Sequence, residues 1–556
     1  MRHQLLVASV LTSLIAIPVG AGGSASANRP PVTAGATGFA VPKATCGPGS
    51  LPETGLQGQV PIVDQADGRA MQGYRCNLAL VGQYAADGGA LMEAWHGDCA
   101  YMATGYAATD PEFEQRKGVV VIDASDPAHP KETARLQSVS MVNTWESLKA
   151  NATRGLLAAG QGGSFPPFGP GSSGPGFDVY DVEKDCRHPV LQASATLPNG
   201  HGHEGDFAPD GNTYYQSTLS GAPSTSIVAI DVRDPKHPTQ LAAFTLPNSI
   251  HAVQISDDGL RGYFMATGAG DGLEVYDLSE VQRRRPHPQI HLIGQARWAD
   301  NSLAQIARSV RIGGRPYVIT TDEQGAALNP TQACAQGVPP WGFSRIIDMA
   351  DERHPKVVST IKLEVNDPAN CATTLQDQNS GFSLMYSSHY CTADDPHNTT
   401  AIACGWISSG VRVFDVRDPL HPREIAYYNP PARIDTARGT APFLSEAFIG
   451  SRTKDGVFTQ IRWKKDARGH MNLWFISVMN GFQVVDFTNG AYPLSAALAA
   501  APPRATVTTG QARAAVGSTS PGLAATGTSS TGVWLSVSLM LLCAVGIRTA
   551  RRASRA

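Results

Sequence analysis

The stretch from Val411 to Tyr427 reads VRVFDVRDPLHPREIAY and decides how the rest of the chain is interpreted. An apolar run ends at Asp415, a turn containing Pro419 and Pro422 follows, and a second strand-like run begins at Glu424. The two prolines fix φ and remove backbone donors, so neither a strand nor a helix continues through the turn. The stretch therefore predicts a β-hairpin.

Near-copies of this hairpin recur along the chain. Its first run appears as VVVID ending at Asp123, FDVYD at Asp181, IVAID at Asp231, LEVYD at Asp277, SRIID at Asp348, VRVFD at Asp415 and FQVVD at Asp486. Six copies continue into a His-Pro turn, at His129, His188, His237, His287, His354 and His421. With two strands upstream of each aspartate run and one after the turn, each unit has four strands. Units of this kind predict an all-β fold, a seven-bladed β-propeller.

The last unit lacks its fourth strand, because no His-Pro turn follows Asp486. A matching strand is present near the start of the chain, where Asn77–Gln83 resembles the outer strand Gln289–Gln295. We therefore expect residues 76–84 to complete the seventh blade and close the ring. Closure removes the sheet edges that would otherwise promote aggregation.

Composition supports short strands and narrows the range of partners. Charged residues are only 16% of the 556-residue chain, whereas glycine (56) and proline (39) are abundant. The 44 basic residues nearly balance the 47 acidic ones, so no basic surface indicates nucleic-acid binding. We expect a monomeric propeller spanning residues 71–490.

The N-terminal segment has the pattern of an export signal. Residues 1–27 combine Arg2, an apolar run over 5–19 and a small-residue exit at 25–27, which indicates a secretory signal peptide cleaved before Asn28. A membrane anchor is the alternative. Residues 28–70 are rich in Gly, Pro, Ala and Thr and predict a flexible N-terminal arm.

The C-terminal segment has three features in order. Residues 491–522 form an Ala/Pro/Thr/Ser-rich stalk, the pentapeptide Leu523-Ala524-Ala525-Thr526-Gly527 follows, and an apolar run over 533–547 precedes four arginines. The segment 523–556 resembles a sortase sorting signal of the Leu-Ala-x-Thr-Gly type. This resemblance implies cleavage after Thr526 by sortase and linkage to cell-wall peptidoglycan. A retained transmembrane anchor is the alternative.

Removal of both segments leaves an acidic, cysteine-containing ectodomain. The chain loses five arginines and no acidic residue, which leaves 39 basic against 47 acidic residues, a formal charge of −8. Eight of the nine cysteines lie outside the apolar tail, and an even number in an exported chain predicts up to four disulfides. Proximity favours Cys391 with Cys404 and Cys76 with Cys99. A cysteine metal site is disfavoured because no CxxC pair occurs.

Over residues 75–490 the hydrophobic-Asp-x-x-Asp-Pro-x-x-Pro units resemble the LVIVD-repeat family of exported bacterial propellers. That family is largely uncharacterised, so the resemblance implies an architecture rather than an activity. A looser similarity is to the selenium-binding protein and methanethiol oxidase propellers. In those proteins, histidines near the axis bind a metal.

Of the nine histidines outside the His-Pro turns, three share one register. His203 and His251 each lie eight residues before an Asp-Gly turn glycine, and His389 begins the corresponding strand of the sixth unit. The starts of inner strands converge at the channel mouth, where three imidazoles would bind copper, zinc or iron. His201 and Glu204 are a further candidate ligand and general base. The alternative is that these histidines are polar plugs hydrogen-bonded to channel water.

Other blades depart from the histidine pattern. In the same register the second, fifth and seventh units offer Glu146 or Ser147, Ser302 to Gln305, and Thr459. Two functions therefore stay open. The first is a surface module that binds a protein, glycan or small ligand through one rim, and the second is a metal-dependent oxidoreductase or hydrolase with its metal at the axis.

Overall fold

A computed structural model describes the propeller and its N-terminal arm. The described residues are 39–85, 88–104, 112–162, 174–199, 202–218, 226–267, 271–298, 300, 302–325, 329–377, 384–433, 444, 448–449 and 451–495. They form seven antiparallel sheets, and the inner strands of consecutive sheets pack side by side around an axis. The prediction of an all-β, seven-bladed propeller is confirmed.

Each blade is a meander of four strands, numbered here in chain order. Two strands precede blade 1: β1 (Tyr74–Cys76) and β2 (Leu78–Tyr84). Blades 1 to 3 contain β3 (Glu93–His96), β4 (Cys99–Ala103), β5 (Val119–Asp123), β6 (Lys131–Leu136), β7 (Lys149–Asn151), β8 (Leu156–Gly160), β9 (Gly176–Asp181), β10 (Val190–Thr196), β11 (Gly205–Phe207), β12 (Thr213–Ser217), β13 (Ile227–Asp231) and β14 (Thr239–Phe244).

Blades 4 to 7 repeat the arrangement. They contain β15 (Ser249–Ile255), β16 (Arg261–Thr267), β17 (Gly272–Asp277), β18 (His291–Arg297), β19 (Leu303–Ile312), β20 (Arg315–Gln324), β21 (Ser344–Asp348), β22 (Lys356–Ile361), β23 (Ser388–Ala393), β24 (Ala401–Trp406), β25 (Gly410–Asp415), β26 (Arg423–Asn429), β27 (Arg462–Lys465), β28 (Met471–Ser477) and β29 (Gly481–Phe487). Apolar side chains of adjacent blades pack against one another and form the core.

The ring closes as the sequence predicts. Strand β2 pairs with β29, the third strand of blade 7, with Leu78 opposite Phe487. The two outer strands compared in the sequence are equivalent in space, because Gly82 and Gly294 both pack on a neighbouring turn. A Cβ added at either would lie 2.2 Å from a carbonyl oxygen, that of Pro127 or Glu352. Strand β1 adds a fifth strand to blade 6 beside β26.

The His-Pro turns are exposed scaffold elements. In five of them the histidine Nδ1 lies 2.8–2.9 Å from the carboxylate of the aspartate three residues earlier: Asp126–His129, Asp185–His188, Asp234–His237, Asp351–His354 and Asp418–His421. The sixth, His287, has a positive φ of 51°. These histidines are turn residues, as their position in the repeat predicts.

The N-terminal arm is packed rather than flexible over its described part, residues 39–70, and that prediction is wrong there. Glu53 forms a buried ion pair with Arg412, whose Nη1 lies 2.8 Å from Glu424 Oε1. Gln57 and Gln59 are almost fully buried. The Gly- and Pro-rich composition gave no sign of these buried polar contacts. Residues 28–38 lie outside the described part.

Five short α-helices occur in the described residues, all outside the blades' strands. They are α1 (Ile62–Asp67) in the arm, α2 (Phe113–Arg116), α3 (Ser279–Gln282), α4 (Pro330–Ala335) and α5 (Cys371–Thr374). None of them is long and apolar enough to cross a bilayer. The predicted signal peptide, most of the stalk and the sorting signal with its apolar run over 533–547 lie outside the described residues.

Four disulfides pair the eight predicted cysteines. Cys391 and Cys404 face each other across β23 and β24 and are bonded as predicted. The predicted Cys76–Cys99 pair is wrong, since the bonds are Cys46–Cys76 and Cys99–Cys186. Cys76 ends β1 on blade 6 whereas Cys99 begins β4 in blade 1, so nearness in sequence is misleading at the point of closure. The fourth bond, Cys334–Cys371, joins α4 to α5.

Candidate metal centre at the propeller axis

Four polar side chains lie where inner strands begin, at one mouth of the central channel. Glu146 lies three residues before β7 and His203 two before β11, while His251 and His389 lie near the starts of β15 and β23. A fifth side chain, Glu323, arrives on β20, a second strand that runs back toward the same mouth. Five consecutive blades, the second to the sixth, thus each contribute one residue.

The five side chains converge. Glu146 is the central member, with its carboxylate oxygens 3.2 Å from His203 Nε2 and 3.1 Å from His389 Nε2. Glu323 lies 3.2 Å from His389 Nε2 and 3.5 Å from His251 Nε2. In each of two overlapping groups, Glu146–His203–His251 and Glu146–Glu323–His389, the candidate ligand atoms lie within 4.8 Å of one another.

Hydrogen bonds to the backbone orient the imidazoles toward this point. His251 Nδ1 donates to the carbonyl of Ala304 at 2.8 Å, and His389 Nδ1 donates to that of Phe458 at 2.5 Å. Each bond fixes the ring and leaves Nε2 facing the cluster, which is how metal-binding histidines are held in proteins. Gln305 Nε2 in turn donates to Glu146 Oε1 at 3.0 Å.

Hydroxyl groups of neighbouring blades fix the backbone of the ligands. Ser217, at the end of β12 in blade 3, donates to the carbonyl of His251 in blade 4 at 2.6 Å. Thr321, in β20 of blade 5, donates to the carbonyl of His389 in blade 6 at 2.6 Å. Each histidine is therefore held by the blade before it as well as by its own strand.

Burial and charge give the imidazoles different pKa values. Burial lowers the pKa of His251 to about 4, so this ring is neutral at pH 7. Burial also disfavours the charged form of His389, but its hydrogen bonds and attraction to Glu146 and Glu323 outweigh that effect and raise its pKa to about 10. For Glu146 the imidazoles of His203 and His389 overcome desolvation and hold the pKa well below its usual range. Without a metal, the proton on His389 supplies the positive charge that offsets Glu146 and Glu323.

Below this cluster lies a second polar layer whose charges are matched. Lys149 Nζ lies 3.1 Å from Glu204 Oε1, and both side chains are buried. Burial raises the pKa of Glu204 to about 7, with Lys149 lowering and Glu146 raising it. Arg308 attracts both Glu204 and Asp206. These cations have acidic partners of their own, so Glu146 and Glu323 face mainly imidazoles.

The sequence identified part of this centre. His203 and His251 fall in one ligand group and His389 in the other, so the shared register brings all three to the same mouth but not into one set of ligands. Glu204 faces Lys149 and belongs to neither ligand group, and His201 lies outside the described residues. Glu146, which the sequence presents as a departure from the histidine pattern, is the residue that joins both groups.

Glu323 is the residue that sequence reasoning missed. It lies on the second strand of its blade, whereas the register that His203, His251 and His389 share is that of the inner strands. The polar ending of β20, Thr-Thr-Asp-Glu-Gln over 320–324, is the signal that could have found it, because a buried strand rarely ends in five polar residues.

An apolar layer, here called the roof, covers the ligands on the mouth side. Its residues are Leu91, Trp145, Leu384, Ile407, Leu444, Ile449, Phe458 and Val478, with Phe448 packed against them. The Phe458 ring centroid lies 5.3 Å from that of His389, and the Trp145 centroid lies 6.1 Å from that of His203. Much of the roof comes from the segment between β26 and β27, which connects blades 6 and 7.

No protein-family model matches this sequence, and no curated protein sequence matches it. Among solved structures, the chain is similar to a candidate 6-phosphogluconolactonase from Bacteroides fragilis, with 11% identity and a TM-score of 0.42. The match covers 69% of this chain and 97% of that one. A likeness this distant supports no argument about activity.

Proposed function

We propose that the axial cluster binds a divalent transition metal and that the protein is a metal-dependent oxidoreductase. The observation that carries this proposal is the convergence of three imidazoles and two carboxylates from five consecutive blades. Nε2 of His251 is buried and makes no hydrogen bond to any described residue, and the buried Nε2 of His203 faces Glu146 Oε2 at 3.2 Å. Buried lone pairs that face one point are costly unless a cation or proton satisfies them.

The donor set favours particular metals. Imidazole nitrogen suits zinc, copper and iron, and two histidines with one carboxylate form the ligand set of non-haem Fe(II) enzymes. Glu146, His203 and His251 provide that set. Two carboxylates with neutral imidazoles carry a charge of −2, which a divalent cation would neutralise.

The surroundings favour oxidation–reduction over hydrolysis. A bound metal of this kind supplies either electron transfer or Lewis-acid activation of water. The roof and the burial of the ligands separate the site from bulk water, and the ligand set of two histidines and one carboxylate is that of Fe(II) oxygenases. The protein's own contribution is to orient the imidazoles through Ala304 and Phe458 and to hold Glu146 ionised. A hydrolase is the alternative, and zinc as the resident metal would favour it.

Metal analysis of the purified ectodomain tests the proposal. We expect about one metal ion per chain, lost in His251→Ala because one of the converging ligands is removed. His421→Ala is the matched control, since it removes an exposed turn histidine of the same chemistry. Absence of metal after supplementation, or equal metal in both variants, would contradict the proposal.

We further propose that the protein is exported and held at the cell surface. The four disulfides are consistent with an extracellular protein. Processing by sortase and linkage to peptidoglycan follow from the resemblance of residues 523–556 to a sorting signal. Membership of the LVIVD-repeat family and kinship with the selenium-binding propellers are proposals of the same kind. A shift in C-terminal mass on substituting Thr526→Ala would test the cleavage.

A rim-binding module is the second candidate function. The Cys334–Cys371 disulfide joins two insertions of blades 5 and 6, and the arm contacts this region through Gln59, which donates to Asp377 at 2.9 Å. A braced surface of this kind suits recognition of a protein, glycan or small ligand. Binding of peptidoglycan fragments that persists in the metal-free His251→Ala variant would favour this function over catalysis.

A further inference from the structure

The roof is a cluster of apolar side chains that pack against one another. Trp145, Phe448 and Phe458 form a chain of rings, with centroids 6.4 Å apart between the first two and 6.2 Å between the last two. The remaining members are leucine, isoleucine and valine. A polar group placed beneath this layer would lose its hydrogen bonds to water and gain none from the roof.

Charge around the ligands also disfavours an anion. A divalent metal bound by Glu146 and Glu323 makes a neutral centre, and an anionic ligand would return it to a negative charge. The nearby cations lie in the deeper layer, where Lys149 is paired with Glu204 and Arg308 donates to Gln460 at 2.9 Å.

The exposure of the ligands shows from which side a small molecule can reach them. The side chains of Glu146, His251 and His389 are only 1–2% exposed, whereas those of His203 and Glu323 are 9% and 16% exposed. Trp145 borders His203 and is itself held at a positive φ of 45°, which is unfavourable for a bulky residue. Such strain persists only where the surroundings fix the residue, so the indole is held beside the accessible ligand.

We infer that the site takes a neutral molecule that ligates the metal with one end and packs an apolar or aromatic group against Trp145 and Phe448. This inference rests on the proposed metal centre and names the class of ligand that the centre accepts. It excludes phosphorylated and carboxylated substrates, whose charge the roof leaves unpaired.

Three metal-binding probes with the same imidazole head group test it. The ectodomain is loaded with Co²⁺, and its visible absorption is followed during titration with imidazole, 4-phenylimidazole or 4-(imidazol-4-yl)benzoate, whose carboxylate is too far from the ring nitrogen to chelate the metal. We expect 4-phenylimidazole to bind at least about tenfold more tightly than imidazole, because burial of a phenyl ring is favourable by at least that factor. We expect the benzoate to bind more weakly than 4-phenylimidazole, because its carboxylate must lie against the roof.

Two variants show whether the roof is responsible. Phe448→Ser places a hydroxyl in the roof beside Trp145 and Phe458, and it should bring the ratio of 4-phenylimidazole to imidazole affinity close to one. Phe487→Ala is the matched control, because this ring stacks on Trp463 on blade 7 and belongs to a different apolar cluster. Trp145→Leu should reduce the preference as well.

The outcomes separate this inference from the metal centre itself. Failure of Co²⁺ to bind would contradict the metal centre and this inference with it. Cobalt binding with equal affinity for imidazole and 4-phenylimidazole would overturn this inference alone. So would a phenyl preference that is the same in Phe448→Ser as in the unaltered protein.

Discussion

Two groups of histidines in this propeller, those of the His-Pro turns and those at the axis, have opposite surroundings. In the His-Pro turns, five imidazoles with side chains 66–84% exposed each pair with an aspartate of the same turn. At the axis, three imidazoles with side chains at most 9% exposed face carboxylates from other blades. The first contact is local and repeated, whereas the second depends on closure of the ring.

The comparison teaches which residues of a repeat protein carry information on function. A turn histidine stabilises its own hairpin, and the same role recurs in blade after blade. An axial ligand does not stabilise its own blade, because its partners lie on other blades. Residues that depart from the repeat are therefore the ones to examine.

The largest expected effect contrasts buried and exposed ion pairs. Arg412 is fully buried between Glu53 and Glu424, so Arg412→Met should lower the free energy of unfolding by about 3–5 kcal/mol by leaving two carboxylates without their cation. Urea unfolding measures this. Arg233→Met, which removes an exposed partner of Asp231, should cause no measurable change. Equal effects of the two substitutions would contradict the claim that only the buried ion pairs contribute to stability.

Removal of the shared carboxylate should nearly abolish metal binding. Glu146 lies in both ligand groups, so Glu146→Gln should weaken binding more than about a hundredfold, beyond the effect of losing a second-layer contact. Competition with a chelator of known affinity measures the change. Glu352→Gln is the control, since this half-buried carboxylate pairs with Arg261 far from the axis. Retention of metal by Glu146→Gln would exclude Glu146 as a ligand.

A smaller effect is expected one layer further out. Gln305 Nε2 donates to Glu146 Oε1, and Gln305→Leu should weaken metal binding about tenfold by releasing that carboxylate. The same competition assay measures it, with folding checked by circular dichroism. An affinity equal to that of the unaltered protein would show that Glu146 is held by the imidazoles alone.

The smallest expected signal is a proton count. Because the pKa of His389 is raised from 6.5 to about 10, the metal-free protein carries a proton on this ring at neutral pH. The stabilisation from that proton is fully present below pH 6.5 and is lost as the pH rises through about 10. Metal binding near pH 8 should therefore release about one proton. Calorimetry in buffers of different ionisation enthalpy measures the number of protons released. Metal binding without proton release would contradict the claim that the metal replaces the proton on His389.

Most of the fold could be predicted from the sequence, because each blade repeats the same physical constraints. Apolar runs ending in aspartate and prolines in the turns fix the hairpins, and the missing strand of the last unit predicts closure by residues 76–84. The packed arm could not be predicted. Its buried contacts, such as Glu53 with Arg412, join residues more than 350 positions apart.

The candidate site could be predicted only in part. A shared register identifies His203, His251 and His389, because strand position determines which end of the channel a side chain reaches. Glu146 occupies the same register with a different residue type, and Glu323 reaches the mouth on another strand. The disulfides follow the same rule: Cys391–Cys404 joins adjacent strands of one blade and was predictable, whereas Cys99 pairs with Cys186 of the next blade, 87 positions away.

Anomalous diffraction from crystals of the zinc- or iron-loaded ectodomain, recorded at the absorption edge of the metal, tests the central claim most directly. The account predicts one strong peak at the axis, within bonding distance of Glu146, His203 and His251 or of the overlapping group with Glu323 and His389. Its disappearance in His251→Ala crystals would complete the assignment. Peaks confined to the exposed turn histidines, or no peak at the axis, would contradict it.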